Sequence, residues 1–483
     1  MKLRRLLRDI EGVAVRGSKE VEITGLSAHS NFVAPGNLFV AKKGVRCDGA
    51  RFIPEAAKAG AVAVLTDVYD PFVSVTQLIA KDVQAVEALL AATYYGHPSE
   101  ALNLIGITGT NGKTTSALLL HHLLEQWSGG QVGLLTTVTC STGKSRKPAN
   151  FTTSELITNQ RLLKEMVHAD CRSAVMEVSS HGLDQGRVEG LAFDMAIFTN
   201  LTREHLDYHE TMEQYGQAKA ALFRMLSKEG FAIVNSDDPF SEKLLEGCDA
   251  HHLTYGFDEA DVTASAVRCG KRGVEFIARY QSQEAHYKVP LIGRFNISNL
   301  LAVITAGIAH GMHLEKMAEW LRLPPTIPGR MQLVKNSLGL TIFVDYAHSP
   351  DALKKSLESL KEICSGKLIT LFGCGGERDP GKRSEMGSIA EKYSDLVVVT
   401  SDNPRHEDPN SIALEILAGC KKSHRVELDR RKAIEGAIEA CRQGDLLLIA
   451  GKGHESVQII GAQVHPFDDA QVARELCQAS GRV

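Results

Sequence analysis

No apolar run in this chain approaches the ~18 residues that a membrane-crossing helix needs. No apolar stretch of signal-peptide length follows its charged start, where Arg4, Arg5, Arg8 and Asp9 stand among leucines. A bilayer span and export by a leader are therefore not expected, and the expected location is the cytoplasm. The ten cysteines contain no Cys-x-x-Cys pair, so neither a disulfide framework nor a zinc site is expected of them. A dominant sign of charge is missing too: 54 Lys plus Arg face 58 Asp plus Glu, a net charge of −4. Without a broad basic face, nucleic acid is not an expected partner. There is no repeat at a fixed period and no low-complexity tract.

What remains is ordinary globular material, 483 residues with 43% hydrophobic and 23% charged. At about 150 residues per domain this suggests three domains. Residues 1–97 mix short strand-like runs, Leu38–Ala41 and Ala61–Leu65, with a helical stretch at Val83–Tyr95, and end at His97-Pro98-Ser99. Residues 98–330 alternate strand and helix patterns and end in Pro324-Pro325 and Pro328-Gly329. Residues 331–483 repeat the alternation with apolar runs at Thr341–Val344, Leu368–Phe372, Leu396–Thr400 and Leu446–Ala450. The expected class is α/β with doubly wound, mainly parallel sheets. Ligands of such sheets bind beyond the carboxyl ends of the strands, so the loops there are where chemistry is sought.

The first such loop is Gly109-Thr110-Asn111-Gly112-Lys113-Thr114-Thr115, between the strand-like Leu102–Ile107 and a helical pattern at Thr114–Trp127. Its glycines let backbone N–H groups surround phosphate oxygens, and the helix presents its positive end to the same anion. Lys113 is placed to reach β- and γ-phosphates, and a Thr hydroxyl to ligate Mg²⁺. Ile107 stands where the strict phosphate-loop pattern has its first glycine, so Gly109 is expected to make the turn.

Glu177 closes a second strand-like run, Ser173–Val178, at the place of a second Mg²⁺ ligand. A lone Glu there is more often a solvated rim residue. Two polar loops change the balance: Ser179–Leu183, and Thr199–His209, which carries His205. Lys219 follows on a helical pattern, and by periodicity alone it faces water.

Taken in order, GTNGKTT, MEVSSHGL, FTNLTREHLDYH, the Tyr215-x-x-Ala218-Lys219 helix, GRFNISN, PGRM, DYAHSPD, FGCGGERDPGKR, TSDNPR and AGKGHES resemble the Mur ligases, ATP-dependent amide-forming enzymes of peptidoglycan precursor synthesis. The resemblance implies an N-terminal mixed α/β uridine-binding domain, a central phosphate-loop ATPase domain and a C-terminal Rossmann-like domain that binds an amino acid. It implies that Gly109, Thr110, Asn111, Gly112, Lys113, Thr114 and Thr115 hold ATP phosphates and Mg²⁺. Glu177 and His205 become magnesium ligands, and Lys219 becomes the family's carbamylated lysine. CO₂ on a neutral amine turns a cation into a carboxylate-like bridge, and a neutral amine is the requirement.

By the same resemblance, Asn296, Arg330, Asp345 and His348 contact the nucleotide. Ser30, Thr152, Thr153, Ser179, Gln185 and Arg187 bind the UDP-muramoyl dipeptide. Asp402-Asn403-Pro404-Arg405 resembles the signature of diaminopimelate-adding members, with Arg378, Gly451 and Glu455 completing that pocket. A guanidinium suits the far carboxylate of diaminopimelate because it grips bidentately. The alternative for Arg405 is a helix cap or a surface pair with Glu407. The chain departs from the family at His29-Ser30-Asn31, where Asp-Ser-Arg is usual, and keeps the following Pro35–Ala41 block. The base that deprotonates the amine stays open between His205 and Asp345. A monomer is expected.

Overall fold

The computed structural model describes residues 1–44, 47–149, 151–422 and 424–480. They form three main sheets in chain order, each wrapped by its own helices. The N-terminal sheet has five strands. Gly25–Ser27, Asn37–Val40, Ala63–Thr66 and Thr76–Ala80 run parallel, and Val13–Arg16 closes the far edge antiparallel. Leu38, Val40, Leu65 and Leu78 pack on Val86 and Leu90 of the helix Val83–Tyr95, which Asp82 caps at one end and left-handed Gly96 at the other.

The central sheet has eleven strands. Its heart is parallel, in the order His251–Gly256, Leu226–Asn235, Phe193–Phe198, Asn103–Thr108, Ser173–Glu177 and Val132–Leu135. Both faces of its inner strands are packed, Ile105, Ile107, Val175 and Ile197 into one core and Leu104, Met176, Ala196 and Phe198 into the other, which is why those strands are rich in apolar residues. Two antiparallel wings extend it: Val262–Gly270, Gly273–Tyr280 and Gln283–Val289 on one side, Thr139–Ser141 and Arg146–Pro148 on the other. Strand–helix alternation does not anticipate the wings. They are hairpins with short turns at Gly270–Gly273 and Tyr280–Gln283, where Gly273 and Gln281 take positive φ.

The C-terminal sheet has five parallel strands in the order Thr341–Asp345, Leu446–Ala450, Leu368–Phe372, Leu396–Val399 and His424–Val426, with Gln332–Leu333 antiparallel on the edge. A hairpin, Val457–Ile460 with Gln463–Pro466, folds over its carboxyl end. The helix Pro350–Ile363 starts with proline in its first turn and buries Leu353, Leu357 and Leu360 on one stripe.

In the central sheet Glu177 lies opposite Ile107 and Phe198 opposite Thr108, so three strands end together. In the C-terminal sheet Asp345 lies opposite Ala450, and Phe372 opposite Val399. The two carboxyl edges face each other. Asn111 Nδ2 donates to Asp351 Oδ2 at 3.1 Å, and His348 Nε2 stands 3.1 Å from Glu204 Oε1. The N-terminal unit is tied on through Gln84, which donates to Glu189 at 3.1 Å.

Candidate active site between facing sheet edges

Gly109 and Gly112 flank the phosphate loop with φ of 144° and 90°, in the region that favours glycine. A Cβ at Gly109 would run into the Thr199 hydroxyl, and one at Gly112 into the Asn299 amide. The neighbouring strand end holds the loop in shape. Thr110 N donates to Asn200 O at 2.7 Å, Asn111 N to Asn200 Oδ1 at 3.0 Å, and Thr202 N to Thr110 Oγ1 at 3.0 Å. Gly112 caps the 16-residue helix Lys113–Ser128, whose first turn carries Thr114 and Thr115.

Lys113 and Lys219 converge here. Lys113 Nζ donates to the carbonyls of Gly109 and Thr110, both at 2.8 Å, and Lys219 Nζ donates to the same Gly109 carbonyl at 2.9 Å. Lys219 is 1% exposed, and its ammonium lies 4.3 Å from the Tyr215 ring centre. The water-facing reading of Lys219 is therefore wrong: the helix Met212–Arg224 turns Tyr215, Lys219, Leu222 and Phe223 inward as one face. Burial, and then the charge of Lys113, hold the Lys219 amine well below the ordinary lysine range.

Glu177 is fully buried rather than on a rim. Its carboxylate accepts from Thr137 N and Thr137 Oγ1, both at 3.0 Å. Thr137 Oγ1 also lies 3.0 Å from Thr152 Oγ1, so Glu177 and Thr152 share one chain of hydrogen bonds. Burial favours a neutral Glu204, but the hydrogen bond and charge of His348, with His205 and Lys113, outweigh it and hold the carboxyl well below its usual range. His205 takes a left-handed backbone, φ 57°, and its ring meets His181 edge-on at 4.7 Å. Burial pushes it down to about 4, against the pull of Glu204.

Two clefts open between the sheets. The first, of about 600 Å³, is lined by Asn111, Gly112, Thr115, Asn296, Arg330, Asp345 and His348, all expected at the nucleotide. Arg330 lies 4.4 Å from the Tyr346 ring centre and donates to Thr114 Oγ1 at 3.2 Å, so Thr115 is the threonine that faces this cleft. Asp345 is buried, and its carboxylate is taken up by Met331 N (2.6 Å), Ala347 N (3.0 Å) and Ser356 Oγ (3.1 Å). Burial raises its pKa against those donors.

The second cleft, of about 690 Å³, gathers Thr152, Thr153, Ser179, Gln185 and Arg187 on one wall and Arg378, Asp402, Asn403, Arg405, Gly451 and Glu455 on the other, with His205 between. Arg187 is aimed by Gln185 Oε1 (2.7 Å) and Thr153 O (2.9 Å). Arg405 has left-handed φ 51° and donates from Nη1 to Gly376 O at 2.6 Å. Its pairing with Glu407 does not occur, because Arg383 takes Glu407 at 2.6 Å. Gly451, φ 108°, leaves room for the Asp402 carboxylate, which a Cβ would crowd at 2.6 Å. Ser30 begins a short helical turn on the N-terminal unit and does not line this cleft.

Tyr346 and His348 line both clefts. Sequence reasoning did not single out Tyr346, His181, Glu204 or Lys452, although each sits beside a residue it did: Tyr346 next to Asp345, His181 next to Ser179-Ser180, Glu204 next to His205, Lys452 next to Gly451.

Three family models match consecutive stretches of the chain: "Mur ligase family, catalytic domain" over residues 22–104, "Mur ligase middle domain" over 107–307, and "Mur ligase, glutamate ligase domain" over 329–453. A Bacillus cereus protein named UDP-N-acetylmuramoyl-L-alanyl-D-glutamate–2,6-diaminopimelate ligase is 39% identical over 484 residues, 98% of each chain. A Gloeobacter violaceus protein of the same name is 42% identical over 481 residues, again 98% of each. A solved structure of a ligase with that name superposes with TM-score 0.68 at 30% identity over 100% of both chains. The MurF ligase of Thermotoga maritima in complex with ADP shares the fold, with TM-score 0.68 at 20% identity over 95% of this chain and 98% of that one.

Proposed function

The chain belongs to the Mur ligase family, and on that premise we propose that it joins meso-diaminopimelate to the D-Glu of UDP-N-acetylmuramoyl-L-alanyl-D-glutamate at the expense of ATP, a cytoplasmic step of peptidoglycan precursor synthesis. The observation that carries this reading is the meeting of the two clefts at Tyr346 and His348. A phosphate donor in one and a carboxylate in the other are brought to a common point.

A carboxylate does not acylate an amine in water, because its leaving group is poor. Transfer of the γ-phosphoryl group to the D-Glu side-chain carboxylate gives an acyl phosphate. The amine then attacks through a tetrahedral intermediate that expels phosphate. Lys113 and the amides of the phosphate loop hold the transferring group, and the rest is positioning of three substrates. Thr152, Thr153, Ser179, Gln185 and Arg187 hold the dipeptide end, and Ser30 lies in the unit that takes the distant uridine. Arg378, Asp402, Asn403, Arg405, Gly451 and Glu455 take the amino acid. Asn296, Arg330, Asp345 and His348 take the nucleotide, Asp345 acting by fixing the Met331 and Ala347 backbone.

The donors around the loop fit Mg²⁺, which takes hard oxygen ligands. Thr115 Oγ1 and the Glu177 carboxylate are such oxygens, His205 lines the adjoining second cleft, and Lys219 would become another oxygen donor once its amine carries CO₂. The depressed basicity of the buried Lys219 amine supports that modification. When bound, the metal neutralises charge that spreads over the phosphoryl oxygens. We place the domain boundaries at 1–97, 98–330 and 331–483, and read the protein as a monomer.

Phosphate release by the purified chain tests the reading. Release that requires both the UDP-muramoyl dipeptide and meso-diaminopimelate supports it. Release that proceeds without an acceptor, or that depends on a folate, overturns it.

A further inference from the structure

Behind the second cleft lies a lysine that the chemistry above does not use. Lys452 is 0% exposed, and its ammonium has an acceptor for each of its three hydrogens: Asn403 Oδ1 at 3.1 Å, Glu455 Oε2 at 3.2 Å and Val457 O at 2.6 Å. It thereby joins the loop after the strand Leu396–Val399, the loop after Leu446–Ala450 and the start of the covering hairpin. Ile459 N also donates to Asn403 Oδ1, at 3.0 Å. With two N–H donors on that oxygen, the Asn403 amide has one orientation. One Nδ2 hydrogen goes to Glu455 Oε2 at 2.8 Å. The second Nδ2 hydrogen and Glu455 Oε1 remain for the cleft, which both residues line.

We propose that Lys452 is a positioning residue that sets the polarity of the acceptor pocket: it fixes Asn403 as a donor and Glu455 as an acceptor, side by side. That pair matches an amino-acid terminus, a carboxylate beside an ammonium, at the far end of the incoming amine. The inference rests on the assignment of this wall to the acceptor.

The test uses the full chain with saturating ATP and UDP-muramoyl dipeptide. Acceptors are meso-diaminopimelate, 2-aminopimelate, which lacks the far ammonium, and L-lysine, which lacks the far carboxylate. Lys452→Met is expected to raise the KM for meso-diaminopimelate about tenfold or more, to leave the KM for ATP within about twofold, and to erase most of the preference over 2-aminopimelate. Equal rises in all substrate KM values, or an unchanged preference, overturn it. Should Lys452→Met show no cooperative melt, Asn403→Asp decides, since it keeps the shape and replaces the donor by an oxygen. The preference for meso-diaminopimelate over L-lysine is then expected to collapse, and its survival overturns the proposal. Wild-type protein that ignores meso-diaminopimelate sinks the functional reading itself, whereas wild-type dependence with indifferent variants sinks only the role of Lys452.

Discussion

Replacing Asp469 with Ala removes one half of an ion pair on which the loops at Ser401-Asp402 and Ala450-Gly451 rest. Arg430 and Asp469 are both 0% exposed and meet in a two-point contact, Nε and Nη2 each 2.7 Å from a carboxylate oxygen. The same guanidinium donates to Ala450 O at 3.0 Å and Ser401 O at 3.2 Å, the carbonyls just before Gly451 and Asp402. Alanine leaves a buried guanidinium with two carbonyls and no counter-charge, a loss of about 3–5 kcal/mol. In a unit of roughly 150 residues each kcal/mol moves Tm by about 2–4 °C, so the C-terminal transition is expected to fall by ~6–20 °C. Calorimetry is the assay, because Trp127 and Trp320 both lie before the C-terminal sheet and their fluorescence does not report it. The double variant Arg430→Met/Asp469→Leu is expected to lose less than the single, since no lone charge is left inside. A shift of the single variant under about 2 °C, or a double variant as unstable as the single, refutes the reasoning.

Lys219→Ala is expected to cut turnover by at least ~10³-fold, with no rescue by bicarbonate, and to abolish a carbamate carbon signal in ¹³C-bicarbonate NMR of the wild type. Wild-type turnover in this variant removes the carbamate. Arg405→Lys is expected to raise the KM for diaminopimelate about tenfold while leaving that for ATP within twofold, because a point charge replaces a fork. An equal effect on both substrates argues against the pocket. Burial pushes the Glu87 carboxyl up, against the pull of Lys42 2.8 Å away. Its native pKa therefore exceeds the unfolded one, and its contribution to stability is whole at low pH and lost as pH rises through the native pKa. Glu87→Gln imitates the protonated form, so its Tm is expected to match the wild type near pH 4 and to exceed it increasingly toward pH ~7. A variant that loses stability relative to the wild type as pH rises contradicts this.

Much of the scaffold is legible because its causes are local. The run Leu446–Ala450 is a strand over those residues, and the helix Val83–Tyr95 spans the expected stretch, since burial on both faces or on one stripe writes itself into neighbouring residues. The antiparallel wings were not legible from strand–helix alternation, because short hairpin turns at Gly270–Gly273 and Tyr280–Gln283 interrupt that rhythm without a strong turn pair. At the site, the Arg378–Arg405 group and the Thr152–Arg187 group are each readable as motifs, but their placement on opposite walls of one cleft is not.

By itself the chain's order of residues determined the α/β layers and the glycine turn that frames the phosphate loop. Those follow from φ preferences, neighbouring amides and apolar spacing, all effective over a few residues. Only the tertiary structure decided that Lys219 points inward to the Gly109 carbonyl 110 positions away, that Thr115 rather than Thr114 faces the first cleft, and that Lys452 is buried behind Asn403. Which face of a helix or loop is covered depends on the elements that pack against it, and chain segments far apart in sequence supply those elements.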